Sequence, residues 1–269
     1  MYIESMIITP HLGIGDLLLV KMIEVSHGLH IQHININKPL IQKYSSDYDT
    51  KLGFILQLVS LLFPNAVYSI NTTPLDFRDF CKKYKANSIY LYDMIHKQPS
   101  KNTVCVDDCI VFHTKLRHDY LIDKFNRYIL PDLTTFLRSF TTTKKIVIVG
   151  ERTIGKNYET IKHKTKSLYN ELLLLRTKNT VIDLTKEQLT EGGVFDEFLQ
   201  DIEIINKCIC NVTFGIGGPL SLTIAFSKHN ISCIPFLKES VYASTIKNIH
   251  NNICETVKDL QDILNNNYK

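Results

Sequence analysis

Runs of β-type apolar residues alternate with stretches of helical period along almost the whole chain, and this alternation limits the possible folds more than any other feature. The β-type runs are Ser5 to Thr9, Leu29 to Ile36, Ala66 to Ile70, Ser88 to Tyr92, Cys109 to His113, Lys145 to Val149, Thr180 to Leu184, Cys208 to Val212 and Ile231 to Pro235. Helical patterns fall between them: from the Gly13 turn to about Val25, then Asp49 to Phe63, Leu75 to Lys85, Pro131 to Phe140, Tyr158 to Leu175, Val194 to Asn206 and Pro219 to Ser227, with Thr256 to Leu264 last. Parallel neighbours need crossover connections, so the pattern predicts parallel sheets covered by helices on both faces. Ligands are then expected at the carboxyl ends of the strands. The loop composition of HKQPSKN, near residue 100, divides the chain into two doubly wound, Rossmann-like α/β domains at 1–104 and 105–269.

Length and composition agree with two ordinary domains: 269 residues, 44% hydrophobic and 22% charged, which excludes extended disorder and fibrous repeats. A net charge of +4 suits an anionic small molecule and lacks the clustered basicity of a nucleic-acid binder, so no nucleic-acid partner is expected. The seven cysteines are an odd number, several lie in apolar runs, and they read as reduced thiols in a reducing compartment. No basic leader opens the sequence, and no stretch of about eighteen apolar residues offers a membrane span. A cytoplasmic protein without an integral membrane segment is expected, and the sequons at Asn71, Asn211 and Asn230 read as chance matches. Oligomeric state is not legible.

Two glycine turns stand at strand-to-helix junctions. In GIGD, Gly13 and Gly15 let the backbone turn tightly and leave room for a substrate, while Asp16 places a carboxylate at the helix start. Asp16 as a plain helix cap is the alternative. The turn lacks the third glycine of a dinucleotide fingerprint and no acidic residue ends the next strand, so an NAD site is not expected. In FGIGGPLSLTIAF, Gly215, Gly217 and Gly218 precede a helix whose Pro219 suits a first turn. Unpaired N–H groups there would hold phosphate oxygens, with Ser221 adding a hydroxyl; a compact connection with small residues for packing is the alternative. Lys115 and Arg117 follow one strand and Arg152 another, where cations could neutralise a diphosphate or simply be solvated. Glu151 could accept hydrogen bonds from a ribose or sugar hydroxyl, or join a surface ion pair.

No metal site is expected. His27, His30 and His33 straddle a helix end and a strand, and Cys208 and Cys210, read as sharing one side of a strand, lack a second pair at zinc spacing. No Walker A loop, G-x-S-x-G elbow or H-E-x-x-H helix is present.

The order GIGD, CIVFHTKLR, KKIVIVGER, NTVIDLT and CNVTFGIGGPLSLTIAFSKHNISCIPF resembles the heptosyltransferase-like glycosyltransferases of the GT-B fold. The likeness covers most of the second half and only the opening of the first, and it implies a shortened N-terminal domain on the acceptor side. It further implies a nucleotide-sugar as substrate rather than a bound cofactor, a glycan or other hydroxyl acceptor, and inverting, metal-independent transfer. Asp16 would be the general base, and Ile216, Gly217, Gly218, Pro219 and Ser221 would wrap the donor diphosphate. The closing helix would return to the first domain. Ile216 and Ser221 stand where the family has an aspartate and a histidine, which leaves the donor's identity open. Two other readings stay open with it: a non-catalytic nucleotide-sugar-binding or assembly protein of the same ancestry, and a polysaccharide pyruvyl transferase-like enzyme.

Overall fold

The computed structural model describes residues 5–10, 13–44, 47–84, 90–95, 107–116, 119–150, 168–186, 193–215, 218–233 and 251–268. The first part of the chain forms β1 (Ser5–Ile8), α1 (Ile14–His27), β2 (His30–Asn37), α2 (Lys38–Tyr44), α3 (Tyr48–Leu62), β3 (Val67–Asn71), α4 (Phe77–Lys83) and α5 (Tyr92–Ile95). The second forms β4 (Cys109–His113), α6 (Asp119–Tyr128), α7 (Leu130–Ser139), β5 (Lys145–Val149), β6 (Val181–Asp183), α8 (Gly193–Lys207), β7 (Cys210–Thr213), α9 (Gly218–Phe226), β8 (Asn230–Cys233), β9 (Asn251–Cys254) and α10 (Val257–Asn267). Element ends follow local chemistry. Gly28 takes the left-handed conformation, φ 61°, and its N–H closes the last turn of α1 on Glu24 and Val25. The Asp47 carboxylate caps α3 through the Thr50 N–H at 3.0 Å. Thr256 and Asp259 form a reciprocal capping box at α10.

Among the described residues all strand pairs are parallel, in a three-stranded sheet β1-β2-β3 and a six-stranded sheet β6-β5-β4-β7-β8-β9. In the first sheet the chain always steps the same way, so right-handed crossovers put α1 and α3 on one face. They bury Ile8, Ile31, Ile34 and Ile36 there. The opposite face is open at Ile7 and Val67, each 64% exposed. This corrects the expectation of a sheet covered on both faces. Double coverage needs the chain to return beside β1, and no strand does so among the described residues.

The second sheet does reverse. The chain steps outward from β4 through β5 to β6, then comes back to β4's other side at β7. One face accordingly carries α6 and α7 on Ile110, Phe112, Ile146 and Ile148. The other carries α8, with Ile204 against Cys109, Val111 and Val147. Helix α9 packs on α1, and α8 on α3. The layers therefore run α6/α7, second sheet, α8/α9, α1/α3, first sheet. The boundary near residue 104 separates the two sheets in sequence, while one hydrophobic cluster joins Ile8 and Ile55 of the first part to Phe198, Ile224 and Phe226 of the second. Phe54 meets Phe195 and Phe198 edge-on at 5.9 and 5.7 Å between ring centroids.

Several local expectations change. The closing helix α10 buries Val257, Leu260 and Leu264 in the second core, against α7, β8 and β9, so it does not fold back onto the first sheet. Strand β9 delivers the chain to the rim of the second sheet only two residues before α10 begins. Of the strand expected over Ser88 to Tyr92, residues 88 and 89 lie outside the described residues, while Tyr90 and Leu91 are not strand and Tyr92 opens α5. The helix read over Tyr158 to Leu175 lies partly outside the described residues and ends in a 3-10 turn, Leu173–Thr177.

Candidate functional site

In open α/β sheets the crevice forms at the carboxyl ends of the two strands where the order reverses. Here those strands are β4 and β7. The residues leaving them are Thr114, Lys115 and Leu116 on one side and Phe214 and Gly215 on the other, and they meet. A Cβ at Gly215 would fall well inside contact distance of the Lys115 carbonyl oxygen and 3.2 Å from Leu116 Cα. The β4 exit is held from its other flank as well, because Thr114 donates its N–H to the Val149 carbonyl at 2.9 Å and its hydroxyl to the same oxygen at 3.2 Å. Gly150 makes room for that hydroxyl, since any Cβ there would overlap Thr114 Oγ1. Three strand exits are thus seamed together by backbone contact.

Helix α9 opens next to this seam, with Gly218 and Pro219 as its first two residues and Ser221 one turn in. The first N–H groups of a helix lack intrahelical partners and carry its partial positive charge. These N–H groups and the half-buried Lys115 are the groups at the reversal point whose chemistry would favour an anion. The missing side chain of Gly215 is what permits the close approach of the two strand exits. Arg117, Glu151, Arg152, Ile216 and Gly217 lie outside the described residues.

The other glycine turn opens α1. Gly13 is the N-cap in extended conformation, with φ −78° and ψ 147°, and no side chain caps the turn. Its carbonyl accepts from both Asp16 and Leu17 N–H at 3.1 Å. Asp16 is therefore the third residue of the helix rather than its cap, partly exposed, with its carboxylate at the favourable end of the dipole. Gly15 is buried within the same turn. Burial, and after it the charge of Asp16, hold the Cys81 thiol of α4 up at about 12. Asp76, at the start of α4, ties that helix to the β1 exit: its carboxylate accepts from Thr9 N–H at 2.8 Å, and its own N–H donates to Thr9 O at 3.2 Å.

Asp76 was not singled out from the sequence, and neither was the polar ladder beside it. Ser69 donates to Asn35 Oδ1 at 2.8 Å, Asn71 donates to Asn35 Oδ1 at 3.0 Å and to Ser69 Oγ at 3.1 Å, and Asn35 donates to Thr9 Oγ1 at 3.2 Å. With the Ser69 hydrogen already given to Asn35, His33 Nε2, 2.9 Å from Ser69 Oγ, must be the donor. The period-2 pattern of β2 could have flagged this face as one water reaches.

The two turns are linked through the helices they open, because α1 and α9 pack on each other. Residues 90–92 strap this junction. Leu91 N–H donates to Ala225 O at 2.7 Å, the Tyr92 hydroxyl donates to the buried Glu203 carboxylate at 3.0 Å, and Asn206 donates to the Tyr90 hydroxyl. Lys228 lies over the Tyr90 ring, 5.4 Å from its centroid.

Behind the reversal point sits His113, the last residue of β4, fully buried with Nε2 3.1 Å from Asn211 Oδ1. Asn211 Nδ2 donates to the Ile205 carbonyl at 3.1 Å, so Oδ1 is its acceptor and the histidine proton is on Nε2. Burial brings the His113 pKa down to about 4, which leaves the ring neutral. Cys208 and Cys210 face opposite sides of the sheet, one packed with Val111 and the other with Ile110. The expectation that they share a side fails because β7 begins only at Cys210. Among the described residues no group of three or more histidine, cysteine, aspartate or glutamate side chains gathers as a metal site. His27 stands edge-on to Tyr84 while His33 bonds Ser69. Nor is any helix among those residues long and apolar enough to cross a membrane. No family model, curated protein or solved structure matches the chain.

Proposed function

We propose that the chain is a nucleotide-sugar glycosyltransferase of GT-B type, transferring a sugar to an acceptor hydroxyl with inversion. The observation that carries this reading is the convergence, at the strand-order reversal of the second sheet, of Lys115, Gly215 and the N-terminal turn of α9, with α9 packed on the helix that bears Asp16. The α9 N–H groups and Lys115 would take the charge that builds on the leaving nucleoside diphosphate. Asp16, as carboxylate, would take the acceptor proton while the hydroxyl oxygen bonds to the anomeric carbon and the diphosphate departs from the opposite side. The first sheet would supply the acceptor side.

The test is transfer of labelled sugar from a panel of nucleotide-sugars. Asp16→Ala should lower turnover by about 10²–10⁴-fold and leave nucleotide affinity near that of the unmodified chain. Unchanged turnover in that variant would eliminate the base. A second reading, a non-catalytic nucleotide-sugar-binding protein, is favoured by Ile216 and Ser221 and by the continuous core that joins the two halves. It requires nucleotide binding with neither transfer nor hydrolysis from any donor.

A further inference from the structure

Seven large hydrophobic side chains are exposed among the described residues, and four of them, Ile7, Val67, Tyr68 and Ile70, belong to the first sheet. Three of those are on one strand, β3, where Val67 is 64%, Tyr68 46% and Ile70 43% exposed. Tyr68 and Ile70 share the face of Ile34 and Ile36, whereas Val67 shares that of His33. Side chains on both faces of β3 are therefore exposed. Among the described residues β3 pairs on one side only, with β2.

Edge strands of soluble proteins are ordinarily guarded by lysine, proline, a bulge or a covering element. Strand β3, with the sequence VYSIN, carries neither charge nor proline, and its five pairs with β2 run without a register shift. The bulge of this sheet lies on the β1 side instead. No charged residue or histidine occurs from Leu52 through Leu75. The second sheet treats its β6 rim differently, since Asp183 there holds Arg176 and the Tyr169 hydroxyl.

We propose that β3 is the contact through which two copies of this chain associate, pairing antiparallel about a two-fold axis so that two three-stranded sheets become one of six strands. A two-fold axis perpendicular to the strand makes the paired edges antiparallel. A segment without charge meets its own copy with no like-charge repulsion. Sequence sets the register. With Ser69 on the axis, Tyr68 faces Ile70 of the second copy and Ile70 faces its Tyr68, which gives two aromatic–β-branched pairs on the covered face. On the open face Val67 meets Asn71 and Ser69 meets Ser69. A slip of one residue would set the covered face of one copy beside the open face of the other. A five-residue edge, about 17 Å long, is small for an interface, so association belongs in the micromolar range.

Sedimentation velocity from about 1 to 300 μM tests this directly. The expected result is a dimer fraction that rises with concentration. Ile70→Lys and Val67→Lys, both at exposed positions, should each weaken association by roughly tenfold or more while circular dichroism stays unchanged. A mixture of Tyr68→Cys and Ile70→Cys chains should form an interchain disulfide under mild oxidation, and either variant alone should not. A chain that stays monomeric throughout, or dimers indifferent to both lysine substitutions, would overturn the proposal.

Discussion

Replacing Gly215 with alanine probes the reversal point with one methyl group. Gly215 is not in the left-handed region, so the penalty is steric and not conformational. The new Cβ would overlap the Lys115 carbonyl oxygen and press on Leu116 Cα at 3.2 Å. Both are main-chain atoms, and Thr114 pins that segment to Val149, so neither can swing aside as a side chain would. Overpacking of this kind costs roughly 1–3 kcal/mol. At about 2–3 °C per kcal/mol for a chain of this size, the midpoint of a thermal melt followed by circular dichroism should fall by roughly 2–9 °C. Gly53 supplies the opposite sign in the same experiment. It is exposed within α3 with nothing within 4 Å of its Cβ position, so Gly53→Ala should stabilise by about 0.5–1 kcal/mol. Gly215→Ala should also weaken nucleotide binding by shifting the start of α9 away from Lys115, whereas Gly53→Ala should not. A Gly215→Ala melt at or above that of the unmodified chain would refute the close approach of the two strand exits.

His113 sets a pH dependence with a definite sign. Its folded pKa near 4 lies below the ordinary value of 6.5, so the unfolded chain binds more protons between those limits, and stability is complete above about pH 6.5 and falls as pH drops toward 4. The full effect is on the order of 3 kcal/mol, and His113→Gln should flatten the slope of melting midpoint against pH over that window. Unequal hydrogen bonding governs the strap at residues 90–92: Tyr92→Phe leaves the buried Glu203 carboxylate short of a donor and should cost about 1.5–3 kcal/mol in urea unfolding. Asp16→Asn removes a first-turn carboxylate worth about 0.3–1 kcal/mol at the helix dipole, and a thermal melt of that variant measured beside its transfer rate separates a chemical loss from a loss of fold.

What the sequence made legible was local. CIVFH and KIVIV read as buried strands because central parallel strands are apolar on both faces, and the glycine turns after β1 and β7 marked helix starts because Gly and Pro punctuate the pattern. What it hid was non-local. The single-faced first sheet follows from strand order, which no short window contains. The role of Gly215 depends on a backbone contact with Lys115, a hundred residues earlier. Helix α6 escaped notice because DYLIDKFNRY mixes charges and aromatics between loop-like flanks, and β9, NNIC, is too short and too polar to stand out. Of the run Ser88 to Tyr92, the described residues 90–92 dock on α8 and α9 instead of pairing as a strand, with Leu91 bonded to Ala225. The ladder of Asn35, Ser69 and Asn71 is made of isolated polar residues that gain meaning only once β2 and β3 are in register.

Hydrogen–deuterium exchange with and without saturating nucleoside diphosphate, the four common bases tested separately, bears most directly on the anion site proposed between β4 and β7. For at least one base, the expected result is slowed exchange at residues 114–116 and in the first turn of α9, with the rim strands β6 and β9 unchanged. Identical exchange with every nucleotide, or protection confined to segments away from that junction, would contradict the assignment.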